Sequence, residues 1–251
     1  MGRQAVVLAG GKGSRLGPYT TVLPKPLLPI GDHSILDVVV RQLRYYGFGE
    51  MTLAVGYLAH LVRAVFGDGS DQGVSIRYHE EKTPLGTAGA LGSLAGLPDE
   101  PFLAMNGDVL TTLDYGALYE AHVESANLLT IATHRRTVQI DYGVLDLAPE
   151  RGARCAAVTG YDEKPSIDYV VSMGVYIVSP EVLHYVPAGE HLDIPDLVLR
   201  LLDAEQGVGS YLYDGFWLDI GRHEDYEQAI AGYDSVMAEL MPTGGDSVAS
   251  V

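Results

Sequence analysis

The sequence predicts an α/β fold, a mixed but mostly parallel sheet flanked by helices. Short apolar runs alternate, through the first half, with segments whose apolar residues recur at helical spacing. The opening run leads directly into a glycine-rich loop. The chain has 251 residues, 47% of them hydrophobic and 20% charged, enough for one sizeable core. Such alternation goes with right-handed crossovers and with a ligand crevice at the carboxyl ends of the strands.

The elements follow in order. Residues 4–9 form a continuous apolar run, as in a strand buried on both faces, and residues 10–17 read as its loop. From Ser34, a capping residue, Ile35, Leu36, Val38, Val39 and Leu43 keep helical spacing until Gly47 stops them. Strands are expected at 51–55, 74–78 and 102–105, and helices at 58–66, 87–94 and 114–125. Strand candidates at 128–133, 143–147 and 170–178 have fewer helices between them, which predicts a mixed sheet in the second half. Residues 194–202 and 224–237 read as late helices. A single domain over 1–240 is expected, with a disordered tail of small and polar residues at 241–251.

Composition excludes several classes. No apolar run approaches the roughly 20 residues that a bilayer span requires, and the first eight residues are too short and too weakly charged for a signal peptide. One cysteine, Cys155, forms no internal disulfide, and the eight histidines show no structural zinc pattern. A cytoplasmic location is the expectation. The formal net charge of −17 argues against nucleic acid or an anionic membrane as a partner. Yet Arg3, Lys12, Arg15 and Lys25 stand in the first 25 positions with no acid among them, so a local anion site is compatible with an acidic whole.

The loop Gly10-Gly11-Lys12-Gly13-Ser14-Arg15-Leu16 follows the first strand, where backbone N–H groups can surround phosphate oxygens; a tight turn is the alternative reading. A Walker loop would end in Gly-Lys-Ser/Thr, and a dinucleotide fingerprint would place a third glycine where Leu16 stands, so a Rossmann oxidoreductase is disfavoured. Lys25 lies between Pro24 and Pro26, which restrict the backbone on each side.

The run from Val6 to Ile30 resembles the sugar-1-phosphate nucleotidyltransferases, among them the GDP-mannose pyrophosphorylase-like guanylyltransferases. Their opening motif is a glycine pair, a Gly-Ser/Thr-Arg-Leu turn and a later Pro-Lys-Pro. The resemblance continues through Gly86-Thr87-Ala88-Gly89, Asn106-Gly107-Asp108, Glu163-Lys164-Pro165 and Trp217-Leu218-Asp219-Ile220-Gly221, in the family's order. It implies the Rossmann-like nucleotide-diphospho-sugar transferase fold and assembly into homodimers or tetramers. The chain spans about one such domain, so the acyltransferase domain of some relatives is not expected.

The implied reaction joins a sugar 1-phosphate to a nucleoside triphosphate and releases pyrophosphate. An anionic phosphate is already the nucleophile, so the task is to bring two polyanions together. By resemblance, Arg15, Lys25 and Asp108 are the catalytic residues, with Arg15 on the triphosphate and Lys25 bridging the reacting phosphates. Leu8, Gly10, Gly11, Gly13, Glu81 and Gly86 belong with Arg15 to the nucleotide site. Asp108 and Asp219 would hold one Mg²⁺, although an aspartate at a strand end is ordinarily a turn or cap residue.

Glu81 bears on the base. It stands five positions before Gly86, where uridine- and thymidine-using relatives carry an amide. A carboxylate can accept both N1–H and N2–H of guanine, which favours GTP; a solvated Glu80-Glu81 pair is the alternative. Gly143, Glu163, Lys164, Ser172 and Gly174 fall in the sugar-phosphate motifs, with Lys164 on the phosphate. Ser172 stands where many relatives have Asn, so mannose, a heptose, or a modified sugar or cyclitol phosphate all stay open. Thymidylyl or cytidylyl transfer to a hexose 1-phosphate is the nearest variant, and a non-catalytic regulatory subunit the alternative of another class. Retention of Arg15, Lys25, Asp108 and Asp219 favours catalysis.

Overall fold

The computed structural model describes residues 2–81, 83–94, 99–148 and 155–241. Apart from Met241, the expected tail lies outside them.

The first strand, β1 (Arg3–Ala9), is central because its side chains are apolar on both faces. After the glycine loop come two-residue strands β2 (Pro29–Ile30) and β3 (His33–Ser34), then helix α1 (Ile35–Tyr45). The Ser34 hydroxyl accepts the Asp37 backbone N–H, as its capping position requires. Strand β4 (Phe48–Val55) and helix α2 (Ala59–Phe66) follow. The helix starts one residue later than its apolar pattern suggests, since Leu58 has a φ of 53° and turns the chain instead of extending the helix. Then come β5 (Ser75–Glu80), α3 (Gly86–Ser93), β6 (Phe102–Asn106), a short β7 (Val109–Thr111) and α4 (Tyr115–Glu124).

The second half holds β8 (Leu129–Gln139), β9 (Gly143–Leu147), β10 (Val158–Glu163) and β11 (Ser166–Val178). It ends with α5 (Ile194–Asp203), β12 (Val208–Leu212), β13 (Trp217–Asp219) and α6 (His223–Leu240). Strands β8 and β11 outrun the apolar segments that mark them, because each continues as a largely exposed ribbon of mixed polar and apolar residues paired from Ser166↔Gln139 to Ser172↔Thr133. The seven-stranded sheet has the order β12-β8-β11-β6-β1-β4-β5. All neighbours run parallel except β11, which is antiparallel to both β6 and β8.

Alternation along β1 sorts the core into two layers. Ala5, Val7 and Ala9 face α1, α2 and α4 through Leu36, Val39, Val62 and Leu118. Val6 faces α3 and α5 through Leu91, Leu197 and Leu201. A one-residue slip would exchange the two sets, so burial fixes the register. A third cluster packs α6 onto the loop after β1 and onto β7 and β13, through Leu16, Leu28, Leu110, Ile220 and Tyr233. Buried Gln42 on α1 donates to the Thr111 carbonyl at 2.8 Å, and the Thr111 hydroxyl donates to the Phe216 carbonyl at 2.8 Å. These bonds tie β7 to α1 and to the approach of β13, and so set where the residues flanking β7 stand.

His122, 2% exposed, bridges Thr130 and Ser179 through its two ring nitrogens at 2.8 and 2.9 Å. Burial holds its imidazole below the ordinary pKa of 6.5. The unfolded chain therefore binds this proton first. Its contribution is intact above about pH 6.5 and is lost as pH falls through the lower folded value. Thermal melts of wild type are expected to show a falling Tm below about pH 6.5, with a shallower slope in His122→Gln; identical slopes would remove His122 as the source.

Candidate active site

The carboxyl ends of β1, β4, β5 and β6 surround a cleft of about 540 Å³ lined by Leu8, Gly10, Gly11, Glu81, Gly86 and Asp108, among others. Six residues separated by up to 100 positions are thus brought together by parallel strands ending on one edge.

Gly10 allows the cleft to close on its acidic wall. A β-carbon there would lie 2.7 Å from Glu81 Oε2, so any larger residue would push the carboxylate away. The Glu81 backbone N–H donates to the Val55 carbonyl at 3.1 Å, which continues the β4–β5 ladder and fixes the residue at the strand end. Its Oε1 is buried with no hydrogen-bond partner among the described residues.

Gly86 has a φ of 75°, and a β-carbon would lie 2.5 Å from the Leu192 carbonyl oxygen. The same oxygen accepts the N–H groups of Ala88 and Gly89 at 3.0 and 2.9 Å. The starts of α3 and α5 cap each other: Thr87 N–H donates to Asp193 Oδ1 at 3.0 Å, and Ile194 N–H donates to the Thr87 hydroxyl at 2.9 Å. Backbone pressed this tightly makes a rigid wall opposite Glu81.

Lys25 opens a one-turn helix after Pro24 and is 8% exposed. Its ammonium pairs with Asp108 Oδ2, while Asp108 Oδ1 is buried and has no partner among the described residues. Asp108 lies between β6 and β7, and its carbonyl accepts Ile220 N–H at 3.1 Å; Asp219 ends β13 opposite Val109. The two carboxylates therefore face one another at the ends of paired strands. Burial pushes the Asp219 carboxyl above its ordinary value, and Asp108 pushes the same way, against Lys25 and Arg15.

Among the described residues no group of three or more His, Cys, Asp or Glu is placed to hold a metal. The pair suits a divalent cation nonetheless: one buried oxygen lacks a partner, the second carboxyl is destabilised by its neighbour, and phosphate oxygens would supply the remaining hard ligands.

Arg15 and Asp219 line a second cleft of about 470 Å³ with Gly221 and Arg222. Gly13 lines neither cleft. Its carbonyl accepts the Thr20 hydroxyl at 2.8 Å and its φ of 61° starts the turn that carries Arg15.

The five expected sugar-phosphate residues also lie outside both linings. Gly143 and Glu163 pair across the β9–β10 hairpin, where Tyr161 covers Gly143 and its hydroxyl donates to Glu163 Oε2 at 2.7 Å. Lys164 follows with a φ of 50°. Ser172 accepts Gly174 N–H at 3.3 Å in the bulge of β11, and Gly174 lies against the Asn106 amide. Sequence reasoning assigned no site role to Tyr57, Asn106, Thr87 or Asp193 and marked Lys12 only as one of four clustered bases, yet all five line the first cleft. Asn106 and Thr87 stand inside motifs already singled out and Lys12 inside the glycine loop, whereas no spacing pointed to Asp193.

A doubly covered α/β sheet whose strand ends gather a glycine loop, a buried lysine and two facing aspartates is an arrangement suited to phosphate groups. The chain belongs to the nucleotidyl transferase family, whose profile matches residues 4–235. The UTP–glucose-1-phosphate uridylyltransferase of Synechocystis sp. is 32% identical over 248 residues, covering 91% of this chain and 63% of that protein. The mannose-1-phosphate guanylyltransferase of Mycobacterium tuberculosis is 31% identical over 230 residues, covering 90% and 63%. The chain thus spans under two thirds of the length of these relatives. The fold is shared with HddC from Yersinia pseudotuberculosis at a TM-score of 0.69 and 24% identity, over 92% of this chain and 99% of that one.

Removing the Lys25 ammonium leaves Asp108 facing Asp219 without its counter-charge. The pair is partly solvent-accessible, with side-chain exposures of 10% and 25%, so the full penalty of a deeply buried charge does not apply. Lys25→Met is expected to lower stability by about 2 kcal/mol in urea denaturation. Adding Asp108→Asn should recover most of that loss. No recovery would assign the effect to the packed lysine stem.

Proposed function

We propose that the chain transfers a guanylyl group from GTP to a sugar 1-phosphate and releases pyrophosphate, with Mg²⁺ as its metal. The observation that carries the base assignment is the Glu81 carboxylate. One of its oxygens is buried in the cleft and has no partner among the described residues, a state that costs about 1–3 kcal/mol or more unless a ligand completes it. Guanine brings two adjacent N–H donors, whereas thymine, uracil, cytosine and adenine present a donor beside an acceptor, which a carboxylate meets with repulsion. The guanylyltransferase from Mycobacterium tuberculosis supports the same base, as does a structure of HddC complexed with GMP-PN.

In the proposed reaction an oxygen of the acceptor phosphate attacks the α-phosphorus of GTP. One P–O bond forms as the α–β bridging bond breaks, and pyrophosphate leaves with the bonding pair. No proton has to be removed from the nucleophile, so no general base is required. Lys25, held beside Asp108, stabilises charge on the reacting phosphates, and Arg15 neutralises the leaving side. Asp108 and Asp219 would hold the Mg²⁺, which would supply Lewis-acid neutralisation of phosphate charge. The Glu81 wall and the Gly86 turn orient the base and fix the α-phosphate at the aspartate pair.

The acceptor reading is a sugar or sugar-like 1-phosphate, mannose, heptose or cyclitol in type. The Ser172 hydroxyl is within 3.2 Å of the Tyr176 hydroxyl and holds Gly174 N–H, a contact set unlike a free amide. A pyrimidine triphosphate is the competing donor, favoured by the Synechocystis uridylyltransferase.

Pyrophosphate release from the four common nucleoside triphosphates, each mixed with a panel of sugar phosphates, tests the proposal. GTP should lead, and Glu81→Gln should reduce its advantage by about 10²-fold. Preference for UTP or dTTP in wild type would overturn the base assignment. GTP binding without release would mark a regulatory subunit.

A further inference from the structure

The second cleft shares no lining residue with the first; Asp108 lines one and Asp219, which it repels, lines the other. Its lining includes Arg15, Arg136 and Arg222, in a chain with only 16 lysines and arginines and a formal net charge of −17. Acidic proteins concentrate arginine in this way where an anion is to be held.

The pairing state of these side chains sharpens the point. The guanidinium groups of Arg136 and Arg222 make no ion pair or hydrogen bond among the described residues. Neighbouring Arg135, by contrast, is paired with Asp214 at 3.5 Å. Strand alternation separates the two arginines: Arg136 shares a face of β8 with His134, and Arg135 points the other way. His134 also lines the cleft, and one ring nitrogen, Nδ1, donates to the Tyr213 carbonyl at 2.8 Å. Its Nε2 has no partner among the described residues.

The cleft's two acids, Asp219 and Asp225, offset part of this charge and leave three guanidinium groups against two carboxylates. Asp225 Oδ2 accepts the backbone N–H groups of Gly221 and Arg222 at 3.1 and 2.7 Å, so that oxygen caps the start of α6. Asp219 is half of the aspartate pair suited to a cation. Arg15 is held near it, since its guanidinium nitrogens lie 3.9 Å from where a β-carbon on Gly221 would stand. Three planar donor forks around one opening match the oxygens of a phosphate.

We propose that Arg136 and Arg222, together with Arg15, form a phosphate-binding site on the far side of Asp219 from the Glu81 wall. Its occupant is a phosphate-bearing group, either the pyrophosphate half of the triphosphate or a second phosphate on the acceptor. The source of that phosphate rests on the proposed guanylyl transfer; the arginine set does not. Arg136 and Arg222 are thereby assigned a substrate-binding role that neither the glycine loop nor the Asp motifs contain.

Calorimetric titration of the full chain with inorganic pyrophosphate, without divalent metal, reads the site independently of turnover. Arg136→Gln and Arg222→Gln are expected each to weaken binding about fivefold, and their combination by more than about tenfold. Both residues are exposed, so folding is not at stake, and circular dichroism melts check it. Arg135→Gln should leave the affinity unchanged. Pyrophosphate affinity in the double variant within about twofold of wild type overturns the site. In steady-state assays, a higher inhibition constant for pyrophosphate with an unchanged acceptor KM supports the site with the leaving group as occupant. A KM increase confined to an acceptor bearing a second phosphate supports it with the acceptor as occupant. Failure of guanylyl transfer alongside arginine-dependent binding would remove the proposed reaction and keep the site.

Discussion

The ion pair between Lys25 and Asp108, set against Asp219, is the constraint around which the rest of the molecule is arranged. Two carboxylates at neighbouring strand ends repel, and one of them is driven toward its protonated form by burial as well. A short β7–β13 pairing nevertheless holds them there. Its ends are secured by Gln42, Thr111 and the packing of α6, none of which contacts the first cleft. Prolines on either side of Lys25 bring the compensating ammonium from a separate segment. The fold thus spends core hydrogen bonds and apolar burial on keeping charges together that would otherwise separate.

This arrangement reconciles an acidic chain with phosphate chemistry. A formal net charge of −17 repels polyanions at long range, but screening limits that repulsion to roughly 10 Å at ordinary ionic strength. Within a cleft the nearest charges decide, and these are Lys25, Arg15 and the arginines facing Asp219. Oxygens on Glu81 and Asp108 that have no partner among the described residues mark where a base donor and a cation would complete the surface. Rigid backbone contacts at Gly10 and Gly86 fix those positions before any ligand arrives.

Much of this was legible in the sequence because it is local. The strand-to-loop passage at β1, the Ser34 cap, the prolines around Lys25 and the helical spacing of α1 each depend on residues close in the chain. The strands that complete the site were harder. Three-residue β7 and β13 are too short to show a period, and they exist through pairing with each other across about 100 positions. The cross-cap between Thr87 and Asp193 is likewise invisible in spacing. Arg136 gives no local sign either, since its significance lies in what its neighbour Arg135 has and it lacks among the described residues, an acidic partner. Burial of Glu81 Oε1 could not be read at all from two adjacent glutamates, which also suit a solvated surface.

Electron paramagnetic resonance of Mn²⁺ added with GTP tests the facing aspartates most directly. One protein-bound ion is expected, with an affinity that falls sharply in Asp108→Asn and in Asp219→Asn alike. Retention of that ion at undiminished affinity in either variant would contradict a shared metal seat between the two strand ends.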